Sequence, residues 1–153
     1  MPRSAPKIKV DNVTRLGAEV VLVGDSFDEC MEACNICVNE EKKLLIHPFD
    51  DPYVIAGQAT IGLEMAEQTE LRGIDYIFSC CGGGGLISGV GTVFKSISPH
   101  TKIVGVEADE AAGMTESLKQ GKVVSLSTVG KFADGAAVKT VGEYTFKICN
   151  VIA

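Results

Sequence analysis

Four consecutive glycines join an apolar, strand-like run to a helix-like run. Gly82, Gly83, Gly84 and Gly85 stand between Cys81 and Leu86. Each glycine loses extra backbone entropy on ordering, roughly 0.5–1 kcal/mol relative to alanine, so an ordered run of four needs a compensating reason. Without Cβ atoms, successive N–H groups can converge on an anion at the positive end of a helix. The run therefore predicts a phosphate site built from the backbone of residues 82–86 rather than a flexible turn.

The residues around the glycines limit which phosphate-containing ligands are expected. A P-loop requires Gly-Lys-Ser/Thr, and neither Gly121-Lys122-Val123 nor Gly130-Lys131-Phe132 supplies it, so a nucleoside triphosphate is not expected. A dinucleotide stays open as an alternative, because residues 85–91 read GxxxGxG and Glu107 follows where a ribose-binding acid would stand. Against it, the last two glycines of that pattern are expected inside the helix, after the turn.

Three cysteines have a spacing that can also hold an iron–sulfur cluster. Cys30, Cys34 and Cys37 read CxxxCxxC, but they fall on one face of a helix predicted behind the capping box that Ser26 and Glu29 form. Because buried thiols pack as small hydrophobic groups, we expect core packing rather than a cluster.

The remaining cysteines and histidines give no metal site. The adjacent Cys80 and Cys81 are expected to pack at a strand end, because a vicinal disulfide is strained. The chain has only two histidines, His47 and His100, so a histidine-based metal cluster is not expected. His47 precedes a proline in an irregular segment, which favours a structural role over that of a base.

Short apolar strands alternate with helical segments along the chain. Such an alternation forms βαβ units, so we predict an α/β fold with a parallel sheet covered by helices on both faces. The helix at 54–68 carries small residues that would allow close approach of a neighbour. Strands are predicted at 20–23, 44–46, 74–80 and 103–106, and helices after Ser26 and at 54–68, 85–98 and 111–120.

The composition is that of a folded, acidic chain. Its 153 residues include 14 Lys+Arg and 20 Asp+Glu, for a net charge of -6, and 46% are hydrophobic. A chain without surplus positive charge is not expected to bind nucleic acid. The sequence shows neither a membrane-spanning run nor a signal peptide, so we expect no membrane partner and a cytoplasmic location, with an organelle open if a leader precedes Met1.

Three motifs together resemble the threonine dehydratase (threonine ammonia-lyase) family, with serine racemase and serine dehydratase as near relatives among the fold-type-II pyridoxal-phosphate enzymes. The first is CGGGGL at residues 81–86, the second HPFDDPYVIAGQ at 47–58 and the third FADGAAVK at 132–139. The segment at residues 1–11 resembles an internal part of that family as well. The resemblance therefore covers essentially the whole chain.

The resemblance implies a tryptophan-synthase-β-like, two-lobe α/β fold with pyridoxal 5'-phosphate in the cleft. Residues 1–52 would belong to the small lobe and 53–153 to the large lobe. The implied reaction converts L-threonine, or serine, to a 2-oxo acid and ammonia within amino-acid metabolism such as isoleucine biosynthesis, in a homo-oligomer. Backbone amides of Gly82, Gly83, Gly84, Gly85 and Leu86 would hold the phosphate. Asp134 and Gly135 would lie near the ring.

Several family motifs have no counterpart here. The lysine that binds the cofactor covalently belongs to a Ser-Phe-Lys-x-Arg-Gly type motif, and Lys95 stands too far along a helix to replace it. The Ser-x-Gly-Asn-His motif is also missing. The cation ligands of the racemase branch map to Glu107, Ala111 and Gly113, and because the glycine removes a carboxylate, no metal is expected.

We therefore expect an internal segment of a longer lyase, without a catalytic residue of its own and inactive alone. A dinucleotide-binding (NAD-type) domain and a non-catalytic subunit that retains a phosphate cup are the alternatives.

Overall fold

The computed structural model describes residues 1–70, 73–130 and 132–152. Contacts between residues divide the chain into two compact units, Met1–Ile46 and His47–Ala153. The boundary expected after residue 52 refers to the lobes of a complete enzyme and stays a prediction. In the described residues, helices α1 to α6 span Lys7–Arg15, Phe27–Glu41, Pro52–Thr69, Gly85–Ile97, Gly113–Gln120 and Glu143–Ile152. Strands β1 and β2 span Tyr76–Cys80 and Lys102–Val106. Two short 3-10 turns span Asp109–Ala111 and Asp134–Ala136.

The first unit contains α1 and α2. The predicted capping box is present at the start of α2, where the Ser26 hydroxyl accepts the Glu29 N–H at 3.3 Å. Glu29 reaches back as expected, and its carboxylate accepts the N–H of Asp25 at 2.9 Å and the hydroxyl of Ser26 at 3.0 Å. This pairing satisfies two N–H groups at the start of α2.

Two strands predicted in the first unit are wrong. Residues 1–46 are all described, and none of them lies in a strand. Residues 21–24 form isolated backbone hydrogen bonds with the first three residues, such as Val23 N–H to the Met1 carbonyl at 2.9 Å. Leu44 and Ile46 are exposed. An apolar run becomes a strand only where a neighbouring strand completes its ladder, and this unit supplies none.

The expected burial of the α2 cysteines is also wrong for one of the three. Cys34 is exposed, whereas Cys30 and Cys37 are partly buried. The Cys30 thiol donates to the Val23 carbonyl at 3.1 Å. The three cysteines do lie on a helix, but the face of α2 that carries Cys34 is not covered by core residues.

The second unit is built on the parallel pair β1 and β2, which confirms the predicted α/β class. Tyr76 pairs with Lys102 and Cys80 with Val106 at the two ends of the register. Ile77 points to the buried face, on which α4 packs. The opposite face carries Phe78, which is 70% exposed in this chain.

Helices α3 and α4 pack closely through glycines, as the small residues of α3 predicted. A Cβ atom at Gly62 would stand 3.1 Å from Val93, and one at Gly89 would stand 2.6 Å from the backbone nitrogen of Ala59. Helix α3 begins at Pro52, two residues before the predicted start at 54, because the Asp51 carboxylate caps it by accepting the N–H groups of Tyr53 and Val54. The close packing of α3 on α4 fixes the direction in which α4 leaves the glycine loop.

Helix α6 completes the core of the second unit and was not predicted. It packs on α4, where Ile152 fills the space beside Gly91. A cluster of buried residues joins the sheet to the helices around it. Its buried residues are Ile77, Cys81, Ile87, Val90, Phe94, Ile103, Met114, Val141 and Cys149.

Candidate phosphate-binding site at the glycine loop

The glycine loop joins the carboxyl end of β1 to the N-terminus of α4. The Cys81 N–H continues the ladder by donating to the Val106 carbonyl at 2.9 Å. Gly84 is the N-cap of α4 and has φ of 95°, a left-handed conformation that favours glycine. Gly83, Gly84 and Gly85 are buried. The loop is therefore an ordered, packed structure and not a flexible connection.

The glycines of the loop make room for residues of other segments that pack against it. A side chain at Gly83 would overlap the ring of Phe49, and one at Gly82 would stand 2.9 Å from Cα of Ala136. A Cβ atom at Gly84 would stand 2.7 Å from Met114. Packing alone thus requires small residues here, an aspect that the sequence interpretation, centred on the anion, did not include.

The N–H groups of residues 82–86 donate no hydrogen bond to any residue that the structure describes. Three of these residues are buried, and unpaired N–H groups in a packed loop are costly unless an external acceptor satisfies them. The N-terminus of a 13-residue helix adds its positive dipole end at the same place. This arrangement suits a phosphate group, which offers several acceptor oxygens and negative charge.

Thr145 anchors the loop from α6 and was missed in the sequence. Its hydroxyl, which is fully buried, donates to the Gly83 carbonyl at 2.6 Å. The Gly142 N–H donates to the same carbonyl at 3.3 Å. No local sequence pattern predicts this hydrogen bond, because 62 residues separate Thr145 from Gly83.

Asp50, in the irregular segment before α3, was also missed. Its carboxylate accepts the N–H groups of Glu143, Tyr144 and Thr145, at 3.0, 2.9 and 3.2 Å. Asp50 therefore caps α6 from more than 90 positions earlier in the chain. An aspartate that caps a helix beginning elsewhere has no spacing signature in the sequence.

His47 has the structural role that the sequence favoured. Its Nδ1 accepts the N–H of Asp50 at 2.8 Å and lies 3.4 Å from the N–H of Phe49. Its ring meets the Phe49 ring edge to face, at 4.6 Å between centroids. His47 therefore shapes the turn that places Phe49 and Asp50 beside the loop.

The segment predicted to lie near the cofactor ring is adjacent to the loop. Asp134 and Gly135 belong to the exposed 3-10 turn whose last residue, Ala136, contacts Gly82. Lys95 is exposed in the last turn of α4, about 15 Å along the axis from Gly85. The structure thus brings the turn at 134–136 to the glycine loop and leaves Lys95 at the far end of the helix.

Glu107 has a structural partner of its own. Its two carboxylate oxygens accept the N–H groups of Met114 and Thr115, each at 2.8 Å, at the start of α5. Both oxygens are therefore used as a helix cap. Together with the burial of Gly89 and Gly91 against neighbouring helices, this weakens the dinucleotide interpretation.

Comparison with known proteins identifies the family. Residues 1–152 match the family described as "Pyridoxal-phosphate dependent enzyme". The chain therefore belongs to this family of pyridoxal-phosphate-dependent enzymes, which confirms the resemblance, the fold class and the cofactor expected from the sequence.

The most similar curated proteins include threonine dehydratases. The chain is 53% identical over 150 residues to mitochondrial threonine dehydratase of Schizosaccharomyces pombe, covering 98% of this chain and 25% of that protein. It is 50% identical over 155 residues to L-threonine dehydratase biosynthetic IlvA of Halalkalibacterium halodurans, covering 99% of this chain and 37% of that protein. The chain thus spans about a quarter to two fifths of the length of these relatives.

Solved structures of two further enzymes are also similar to this chain. The processed form of threonine deaminase isoform 2 from Solanum lycopersicum superimposes with a TM-score of 0.90 at 51% identity, over 98% of this chain and 43% of that one. Maize serine racemase gives a TM-score of 0.89 at 33% identity, over 99% of this chain and 45% of that one.

The residues fit the phosphate end of the cofactor better than its reactive end. The loop offers N–H donors that have no acceptor among the described residues, and a cradle without Cβ atoms at the start of α4. By contrast, every lysine among the described residues is exposed to solvent. The described part of the chain can therefore hold a phosphate group, and it presents no buried amine beside the loop.

Proposed function

We propose that this chain forms the phosphate-binding part of a pyridoxal-phosphate-dependent threonine dehydratase, which converts L-threonine to 2-oxobutanoate and ammonia. The observation that carries the proposal is the set of N–H groups at residues 82–86, which lack acceptors among the described residues and lie at the positive end of α4. The relatives named threonine dehydratase, at 53% and 50% identity, support the substrate class.

Within this proposal each group has a defined task. The amides of Gly82, Gly83, Gly84, Gly85 and Leu86 bind the phosphate and so orient the cofactor. Asp134 and Gly135, beside the loop, border the ring. When bound, pyridoxal phosphate withdraws electrons from the substrate's α-carbon, which is chemistry that no side chain supplies.

We propose that the chain is inactive alone. Covalent catalysis needs an amine aimed at the cofactor's aldehyde, and the lysines of the described residues are exposed. The family's lysine motif has no counterpart in this sequence. Residues 1–52 would contribute to the small lobe and 53–153 to the large lobe of a complete enzyme, which we propose is a homo-oligomer.

The names of the relatives support a proposal for the substrate and the compartment. We propose an amino-acid substrate, threonine or serine, and no nucleic-acid or membrane partner. Of the helices that the structure describes, none combines the length and apolarity that a bilayer crossing requires. The relatives include proteins named mitochondrial and chloroplastic, so we propose the cytoplasm or an organelle interior as the site of action.

Thermal stability in the presence of ligands tests the proposal. Pyridoxal phosphate and inorganic phosphate, added separately at millimolar concentration, should each raise the Tm of the chain, and NAD should not. Stabilisation by NAD alone would favour the dinucleotide-binding alternative and contradict the proposal.

Activity provides the second half of the test. The chain alone should produce no 2-oxobutanoate and no borohydride-trapped lysine adduct, whereas mixing it with a segment of a relative that carries the lysine motif should restore turnover. A stoichiometric adduct at one lysine together with 2-oxobutanoate from the chain alone would overturn the inactive-alone proposal. Phosphate binding without any restored turnover would favour a non-catalytic subunit.

A further inference from the structure

Asp50 joins two distant parts of the second unit at the glycine loop. We propose that Asp50 is a positioning residue for phosphate binding: it holds α6 so that Thr145 fixes the Gly83 carbonyl and thereby the direction of the Gly84 N–H. The proposal rests on the proposed function, since it concerns the geometry of the same phosphate loop.

The first step is the placement of α6. The Asp50 carboxylate accepts three successive N–H groups, from Glu143 to Thr145, at 2.9 to 3.2 Å. A carboxylate at a helix N-terminus combines charge-assisted hydrogen bonds with the helix dipole. Gly142 has no side chain to compete, because a Cβ atom there would overlap the Asp50 carboxylate. These contacts restrict both the position and the rotation of the first turn of α6.

The second step is the bond from α6 to the loop. Thr145 donates its backbone N–H to Asp50 and its hydroxyl to the Gly83 carbonyl, at 3.2 and 2.6 Å. The same residue is therefore held by Asp50 on one side and holds Gly83 on the other. Thr145 is fully buried, so no water replaces the Gly83 carbonyl as a partner of its hydroxyl. The hydroxyl also lies 3.1 Å from the Gly142 carbonyl, but its shorter hydrogen bond, at 2.6 Å, is the one to Gly83.

The third step is the direction of the Gly84 N–H. The peptide between Gly83 and Gly84 is trans, so its N–H points opposite to its C=O. The Gly83 carbonyl is turned toward α6 by Thr145 and by the Gly142 N–H. The Gly84 N–H consequently points away from α6, where it donates to none of the described residues.

The residues near Asp50 in the chain also help to hold the glycine loop in place. Phe49 packs on the loop, where a Cβ atom at Gly85 would stand 3.1 Å from its Cα. His47 accepts the Asp50 N–H and closes the turn between them. Fixing Asp50 to α6 therefore also holds Phe49 against the loop.

The test compares two adjacent aspartates that each cap a different helix. Asp50→Asn retains one acceptor oxygen but loses the charge and one of the two acceptors, whereas Asp51→Asn makes the same change at the cap of α3. Thr145→Val removes the hydroxyl at nearly constant shape, and Thr145→Ser restores it. Each variant of the full chain is measured for Kd with pyridoxal phosphate and with inorganic phosphate, for Tm, and for the backbone amide shifts of residues 82–86 without ligand.

We expect Asp50→Asn and Thr145→Val to weaken both Kd values about tenfold and to move the Gly84 amide resonance. Asp51→Asn should lower Tm comparably and leave both Kd values within about twofold, and Thr145→Ser should recover most of the binding. Unchanged Kd values and unchanged loop resonances in Asp50→Asn and Thr145→Val would overturn the positioning role.

The amide shifts separate this inference from the proposed function. If the parent chain binds neither pyridoxal phosphate nor phosphate, the proposed function fails, and the ligand-free resonances of Gly84 still decide whether Asp50 sets the loop. An equal loss of binding in Asp50→Asn and Asp51→Asn, in proportion to Tm, would show that both act through stability and would contradict positioning.

Discussion

Gly89 of α4 and Ala59 of α3 lie in direct backbone contact. A Cβ atom at Gly89 would stand 2.6 Å from the Ala59 nitrogen and 2.6 Å from the carbonyl oxygen of Ile55. Backbone atoms of a packed helix cannot move away as the end of a side chain can. The two helices therefore approach this closely only because position 89 has no side chain.

Gly89→Ala should destabilise the second unit. Overpacking a buried contact of this kind costs about 1–3 kcal/mol, so urea unfolding should show a lower midpoint. Gly57→Ala is the matched control, because Gly57 lies exposed in α3 and a Cβ atom there would meet no atom within 4 Å. There alanine should stabilise by about 0.5–1 kcal/mol through helix propensity. Equal effects at the two positions would contradict the contact.

Gly84→Ala should cost both stability and phosphate binding. Gly84 has φ of 95° and a Cβ atom there would stand 2.7 Å from Met114 and 2.8 Å from Thr145, so strain and crowding act together. Gly121→Ala separates them, because Gly121 has φ of 68° and open space around it. We expect about 1–2 kcal/mol at Gly121, from the left-handed conformation alone, and a larger loss at Gly84. Phosphate affinity should fall only in Gly84→Ala; affinity at parental strength would place the phosphate elsewhere.

The two adjacent cysteines at the end of β1 should differ in reactivity. Cys80 is exposed, whereas Cys81 is buried, and burial raises the pKa of the Cys81 thiol to about 12. Because the thiolate is the reactive form, iodoacetamide at neutral pH should label Cys80 and Cys34 and spare Cys81 and Cys149. Fragment mass spectrometry of the labelled peptide distinguishes the neighbours. Equal labelling of Cys80 and Cys81 in the folded protein would contradict the packing of the loop.

Stability should fall as the pH rises above 9. Burial raises the pKa of both Cys81 and Cys149 above their ordinary value of 9.0. Below pH 9 these thiols are neutral in both states, whereas above it the unfolded chain releases protons that the folded chain retains. The free energy of unfolding should then drop by up to about 1.4 kcal/mol per pH unit for each thiol.

Cys81→Ala is the control for this pH dependence. Comparing it with the parent chain from pH 8 to 11 isolates one thiol from the lysines and tyrosines that titrate in the same range. The variant should show a smaller decline above pH 9. An identical decline in the two proteins would remove Cys81 as its source.

The sequence predicted the elements that local chemistry determines. The β1–glycine–α4 unit follows from an apolar run, four glycines and a helical pattern, and the cap of α2 follows from Ser26 and Glu29. The position of the later glycines inside α4 follows from the same pattern. Each of these features depends on residues a few positions apart, which is the range that periodicity and capping rules cover.

The features that were missed depend on distant partners. The apolar run at 20–23 looks like a strand, but its formation depends on a neighbouring strand that residues 1–46 do not supply. Helix α6 carries no side-chain cap of its own that a pattern could detect, because Asp50 provides the cap from another segment. Thr145 was missed for the same reason, because its partner, the carbonyl of Gly83, lies far away in the sequence. Tertiary hydrogen bonds of this kind leave no regular spacing in the sequence.

The phosphate loop is tested most directly by titrating the isotope-labelled chain with pyridoxal phosphate and following its backbone amide resonances. The N–H groups of residues 82–86 should show the largest shifts, saturating together, and inorganic phosphate should reproduce them. NAD at the same concentration should leave them in place. Saturable shifts that appear elsewhere while the amides of Gly82 to Leu86 stay unchanged would contradict phosphate binding at this loop.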